Sequence, residues 1–311
     1  MTVPSHRGIL VHAPKVYICA EGWRGRAWGN VYSMISSFAL YRSAAAGAFG
    51  ALVCVSAWAG PACAQTRLRA HYTISMTGVQ IGQIAWLAAI GDQRYTTSAT
   101  GKASGVLSVL VNGEGSVDVR GAVVDGRLSP RFFTSKIADD EGASDLRMTF
   151  DEGVVKDLVS SAPPPAGDRL PASDADRRGV IDPLSAMLIP AGENVLAPAN
   201  CDRVLSVFDG RRRYDLGLSY KRVDKVVLER SFSGIVLVCG VVLKPIAGYR
   251  RDSMLVKHVA GRRDMELWFA PIAGTPHLAP IRVLMPTLIG TLAIEADQFD
   301  TVAPTPAAAP R

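Results

Sequence analysis

From Arg67 onward, apolar and polar residues take turns along the chain. Tyr72, Ile74 and Met76 share one face and His71, Thr73 and Ser75 the other. A period of two puts successive side chains on opposite sides of an extended strand. Gly78 offers a turn, residues 79–89 read as the returning strand with Gly82 where a bend is tolerated, and residues 94–103 supply a third strand rich in Thr and Ser. Three such neighbours predict a meander. Strand character returns at 116–124, and Asp125-Gly126 is a hairpin turn before Leu128. Residues 131–137 and 146–150 form the next expected pair, divided by the polar stretch Asp139-Asp140-Glu141-Gly142. The apolar segment 106–111 fits a strand or a helical turn.

The longest interruption is 160–179, which contains Pro163-Pro164-Pro165 and mixes Asp with Arg. Proline cannot donate to a ladder, so this stretch is expected as a mobile loop of one domain. Asp182 followed by Pro183 fits the cap and first position of a short helix. Beyond it come a strand at 204–208, an Asp209-Gly210 turn, and a strand at 213–220. On that strand Tyr214, Leu216, Leu218 and Tyr220 share one face. Further strands are expected at 225–231, 234–243, 254–260, 264–270, 281–285 and 290–299. The tail 301–311, rich in Pro and Ala, is expected to be disordered. The predicted class is mainly β: a single antiparallel curved sheet or partly open barrel with one short helix over 65–300, following a signal peptide.

That signal is read from residues 44–59, an apolar run preceded by Arg42 and followed by Ala62 and Ala64 at the two small positions of a cleavage site. Cleavage after Ala64 predicts a periplasmic protein. The alternative, a membrane span, is disfavoured because the run falls short of the roughly 20 residues a bilayer core requires and ends at Gly60-Pro61. No span is expected in the mature chain. Residues 1–33 have no evident role in such a leader, and Met34 is the expected translation start. Lipoprotein processing at Cys63 is a lesser alternative, since Gly60 and Pro61 fit a lipobox poorly.

Composition sharpens this picture. Apolar residues make up 48% and charged residues 20%, enough to fill a core. The formal charge of +6 is concentrated in the leader, which holds five basic residues and one acidic. Subtracting them from 34 and 28 leaves 29 basic against 27 acidic, so the mature domain lacks the electrostatic footprint of a nucleic-acid binder. Of five cysteines only Cys201 and Cys239 lie beyond the leader. In an oxidising compartment they read as one disulfide, the alternative being two buried thiols.

Catalytic chemistry is sparse. His71, His258 and His277 are far apart in sequence, and the chain has neither H-E-x-x-H nor G-x-S-x-G. No catalytic residue, cofactor or metal is expected. Asp139, Asp140 and Glu141, like Asp174 and Asp176, read as solvated loop acids. Basic clusters at Arg211-Arg212-Arg213, Arg250-Arg251 and Arg262-Arg263 stand beside expected turns or strand ends. They are candidates for an anionic group, or else charges that keep strand ends soluble.

The stretches CDRVLSVFDGRRRY at 201–214 and VCGVVLKPIAGYRRD at 238–252 resemble the exported proteobacterial proteins grouped as domain of unknown function 3108. The Tyr72 strand with Gly78 and Gly82, Asp182-Pro183-Leu184-Ser185, and Pro280-Ile281-Arg282-Val283 with Gly290 agree, so the resemblance spans most of 68–298. It implies a periplasmic antiparallel β fold of the kind lipoprotein carriers use, and no activity, substrate or catalytic residue. The expectation is a non-catalytic protein binding a lipid-like or other apolar envelope ligand. Tyr214, Leu216, Leu218, Tyr220, Leu267 and Phe269 are its candidate lining and the Asp182 helix its plug, because a curved sheet must bury its inner face against itself, a helix or a ligand. The alternative is a structural module docking to an envelope protein. An undetected hydrolase is the third reading.

Overall fold

The computed structural model describes residues 65–105, 113–139, 142–161, 169–192, 194–229 and 231–303. The leader with its Ala62 and Ala64 positions, the segment 106–111, Asp140 and Glu141, the triple proline and the tail from 304 lie outside the described residues. The described residues, from 65 to 303, belong to one compact unit.

Seven strands open the domain: β1 (Thr66–Met76), β2 (Val79–Ile90), β3 (Arg94–Ala103), β4 (Gly113–Val124), β5 (Arg127–Asp139), β6 (Gly142–Asp151) and β7 (Val154–Ser160). A short helix α1 (Pro183–Ala186), β8 (Ile189–Pro190) and β9 (Arg203–Phe208) lead into a second series: β10 (Arg213–Leu228), β11 (Phe232–Ala247), helix α2 (Met254–Val259), β12 (Met265–Pro271), β13 (His277–Thr287) and β14 (Gly290–Val302). All join one curved, unclosed antiparallel sheet in the order β7-β6-β5-β4-β3-β2-β1-β14-β13-β12-β11-β10-β9, with β8 beside β13.

Tight hairpins keep the first series in register. Thr77-Gly78, Asp125-Gly126 and Glu152-Gly153 all have positive φ at both central positions, the turn whose twist matches that of paired strands. The turns β1–β2, β9–β10 and β13–β14, together with the end of β5 and the start of β6, lie at one end of the sheet, here the upper end. Those of β4–β5, β6–β7 and β12–β13 lie at the lower end.

The inner face buries a cluster containing Tyr72, Trp86, Tyr95, Phe133, Met148, Phe150, Phe208, Trp268 and Phe299. The second series is buried on its other face as well: Leu218, Leu237, Cys239, Leu267, Phe269 and Leu278 pack under Ile189, Cys201 and Val259. The Cys201–Cys239 disulfide, with Cα atoms 5.5 Å apart, ties that outer cover to β11.

The two edges of the sheet are joined by a strap. Val180 N donates to Gly153 O at 2.9 Å, Ile181 N to Ser206 O at 2.9 Å, and Phe208 N to Ile181 O at 3.0 Å. The strap then turns inward as α1, capped by Asp182, whose Oδ1 accepts from Leu184 N and Ser185 N at 3.0 and 2.9 Å.

The sequence pattern misassigns several segments. Residues 254–259 are helical, not extended, because Ser253 Oγ accepts from Val256 N at 3.4 Å and the run lacks alternation. The strands expected at 213–220 and 225–231 are one strand, β10, with a bulge between Tyr220 and Arg222. No strand was expected at β7. β14 continues to Val302, two residues into the expected tail.

Candidate functional site

Helix α1 divides the interior. Above it, a cavity of about 400 Å³ is bounded by inner-face residues of β4 to β7, among them Val117, Phe133, Ile137 and Leu146, by Pro183 and Leu184 of α1, and by Asp209, Arg211 and Arg212 of the β9–β10 turn. A second hollow of about 740 Å³, with Ile137, Ser144 and Asp145 also in its lining, lies across the upper part of β1 to β6. Volumes of this size hold small ligands or a segment of a larger one.

Glycines bring the rim together. Gly210, with φ of +93°, presses the β9–β10 turn onto β6, where a Cβ would lie 2.4 Å from Leu146 Cδ2. Gly248, with φ of +84°, lies against Arg211, where a Cβ would fall 2.0 Å from its carbonyl oxygen. Only glycine satisfies both the left-handed backbone and the close approach. The Phe208-Asp209-Gly210 and Pro245-Ile246-Ala247-Gly248-Tyr249 stretches therefore meet at the mouth of the cavity. Asp209 Oδ1 accepts from Arg211 N at 2.9 Å and Arg212 N at 2.6 Å, holding the turn. Arg212 stands 5.9 Å from the Tyr249 ring centroid and 3.7 Å from Asp209. Burial pushes the Tyr249 phenol up to about 12, and burial together with Asp209 pushes Tyr214 up further.

Behind the rim, Tyr95 and Ser185 share a 2.7 Å hydroxyl contact. Asp182 is fully buried, and its Oδ2 has no hydrogen-bond partner among the described residues. Burial raises its carboxyl above the usual range despite the two capping N–H groups. A second polar cluster lies further along the sheet. Glu266 accepts from Arg222 at 3.0 and 3.2 Å, Lys221 at 3.1 Å and Trp268 Nε1 at 2.8 Å. The Trp268 ring lies 5.0 Å from Arg222 and 4.6 Å from Arg282. Arg222 above all holds the Glu266 carboxyl down at about 2.

The residues expected at the site are dispersed. Leu218, Leu267 and Phe269 lie inside the outer cluster and Leu216 packs against it, so these four fill a core away from the cavity, while Tyr220 is exposed. Tyr214 is half-buried beside the rim. Of the arginines, Arg211 and Arg212 line the cavity. Arg213 instead turns back, donating to Asp215 Oδ1 at 2.6 Å and Tyr214 O at 2.7 Å. Arg250 pairs with Asp252 at 2.9 Å, and Arg251 neighbours it at the upper end. Cys201 and Cys239 form the disulfide. The cavity wall, by contrast, comes from the consecutive strands β4 to β7, closed by α1 and the β9–β10 turn from further along the chain; its signal was the alternation that puts Val117, Phe133 and Leu146 on inner faces.

A curved, unclosed antiparallel sheet around a helical plug places the molecule among barrel-like β proteins. Residues 71–297 match the model described as "Protein of unknown function (DUF3108)", and the chain belongs to that family. It is similar to a solved structure described as a beta-barrel-like protein of domain of unknown function DUF1849 from Brucella abortus, at 11% identity and a TM-score of 0.43, over 77% of this chain and 98% of that one. No curated protein matches. Among the described residues no helix is long and apolar enough to cross a membrane.

Proposed function

We propose that the protein is exported and holds an apolar envelope ligand with an anionic group, non-catalytically, in the cavity above α1. The observation that carries this reading is the pairing of an apolar inner wall, from Val117, Phe133, Leu146 and Leu184, with Arg211 and Arg212 at its rim. The wall takes hydrocarbon out of water, and the two guanidinium groups face an acidic head group. Export is supported by the charged and apolar leader and by the disulfide, which persists in oxidising compartments.

Native mass spectrometry of the full-length precursor, expressed in a Gram-negative host and extracted gently from the envelope, tests both parts. The expected mass starts at Gln65 and carries an added lipid-sized ligand, which Leu184→Glu displaces. A protein consistently free of ligand and unable to take up a fluorescent fatty acid would remove the binding reading. Retention of residues before Gln65 in a cytoplasmic fraction would remove export. Docking of an envelope protein on a sheet edge is a second reading, favoured by the exposed Val159 and Val204 on edge strands β7 and β9. In-cell crosslinking to one recurrent protein at those positions is its signature.

A further inference from the structure

At the upper end, the β1–β2 and β13–β14 turns lie side by side. Thr77 N donates to Thr291 O at 2.9 Å and Thr77 Oγ1 to Ile289 O at 3.4 Å. Gly290, with φ of +127°, permits the approach, since a Cβ there would lie 2.1 Å from Thr77 Oγ1. The paired turns present Val79, Leu288 and Ile289 to solvent, Ile289 at 77% exposure. No charged residue occurs from 74 to 84 or from 283 to 294. Helix α2 packs on β13 and adds Met254, 72% exposed, and Leu255. Single exposed aliphatic side chains are ordinary; several on adjoining turns of an uncharged tip mark an interaction surface.

The surrounding charge favours one occupant. On the α2 side of this end, residues 209–215 and 244–264 contribute Arg211, Arg212, Arg213, Lys244, Arg250, Arg251, Lys257, Arg262 and Arg263 against Asp209, Asp215, Asp252 and Asp264, an excess of five positive charges; β5 ends at the same level with Asp139. Two turn tips and a six-residue helix are narrow compared with the roughly 800 Å² per partner of a standard protein interface. Their apolar residues are all aliphatic or Met, without the Trp and Tyr anchors that dominate such interfaces. A bilayer requires only apolar groups that reach its acyl region and cations at the level of its head groups. We propose that the upper end docks on an anionic phospholipid surface, with Val79, Leu288 and Ile289 entering the acyl layer and the basic residues around α2 lying among the head groups. The docking stands whether or not the cavity holds a ligand.

The test uses the full chain, so that any affinity of the leader is common to every sample and only position-specific signals count. A tryptophan is introduced by Ile289→Trp at the tip and, separately, by Glu229→Trp at the lower end. Vesicles of phosphatidylethanolamine and phosphatidylglycerol carry brominated acyl chains. The added fluorescence at 289 should shift to the blue and be quenched several-fold more than that at 229. Amide exchange at 77–79 and 287–291 should slow by on the order of tenfold on vesicles, and Leu288→Asn with Ile289→Asn should abolish that slowing while leaving the far-ultraviolet spectrum unchanged. Equal quenching at 289 and 229, or no slowing at the two turns, overturns the proposal. So does self-association in the absence of lipid that the double Asn variant abolishes, since the occupant would then be a second copy of the chain.

Discussion

Reducing the Cys201–Cys239 bridge offers a perturbation whose size follows from the chain path. The cysteines are 38 residues apart, and both lie in the outer cluster with no exposed surface. In the chain-entropy account, closing a loop of that length lowers the entropy of the unfolded chain by about 13 cal/mol/K, or roughly 4 kcal/mol at 25 °C. Two buried thiols fill almost the space of the disulfide, so reduction removes the cross-link without opening a cavity. For a domain of this size, 4 kcal/mol corresponds to a fall in Tm of about 8–15 °C. Because folded protein shields the bond, reduction is carried out in denaturant, the chain is refolded with reductant present, and thermal and urea unfolding are compared with the oxidised protein. The urea slope should rise on reduction, since the unfolded chain loses a constraint and exposes more surface. Equal midpoints for the two forms would refute the reasoning, because segment 191–202 would then be held on β11 by packing alone and the loop it closes would carry no weight.

Two charged groups should give opposite pH signatures. Asp182 has a folded-state carboxyl raised by burial, so its contribution favours folding at acid pH and is lost as pH rises from the unfolded value near 4 through the folded one. Asp182→Asn retains the capping oxygen and should be at least as stable as the parent at neutral pH, with the difference vanishing below about pH 4; a variant less stable at every pH contradicts the buried-charge argument. Glu266, held at about 2, contributes stability above the unfolded value of 4.5 that disappears as pH falls through 2. With Arg222 partly exposed, Glu266→Gln should cost about 1–3 kcal/mol at pH 7 by urea denaturation and almost nothing near pH 2.

Much of the fold was legible because one face of β1 to β6 is buried and the other wet, which writes a period of two into the sequence. The turns were legible for a different reason. Asp125-Gly126 and Gly78 stand where left-handed backbone is required, and Asp182-Pro183 has the chemistry of a helix start. The pattern misleads where burial is two-sided. In β11 and β12 consecutive residues such as Val236, Leu237 and Val238 face different clusters, so alternation no longer tells inside from outside, and Leu267 and Phe269 were assigned to the wrong face. Past Tyr220 the β10 bulge resets the phase of the strand, which no local composition announces. At the site, the run of three arginines looks uniform in sequence, yet Arg213 is taken by Asp215 only because β10 places that carboxylate two residues on. The cavity wall depends on a curvature that brings β6 to the β9–β10 turn, where Gly210, left-handed as that turn requires, lies against Leu146, 64 residues back in the chain.

The order of strands carries a consequence for how the molecule assembles. Each series zips from neighbour to neighbour outward, β1 to β7 in one direction and β14 to β9 in the other, so nearly every ladder joins segments close in the chain. Besides the short β8–β13 pair, the exception is the middle of the sheet, where Arg67 meets Val302 across more than two hundred residues. That seam must wait for the most improbable encounter, while each flank can form early from its own hairpins. The centre, not the rim, is the part that closes last.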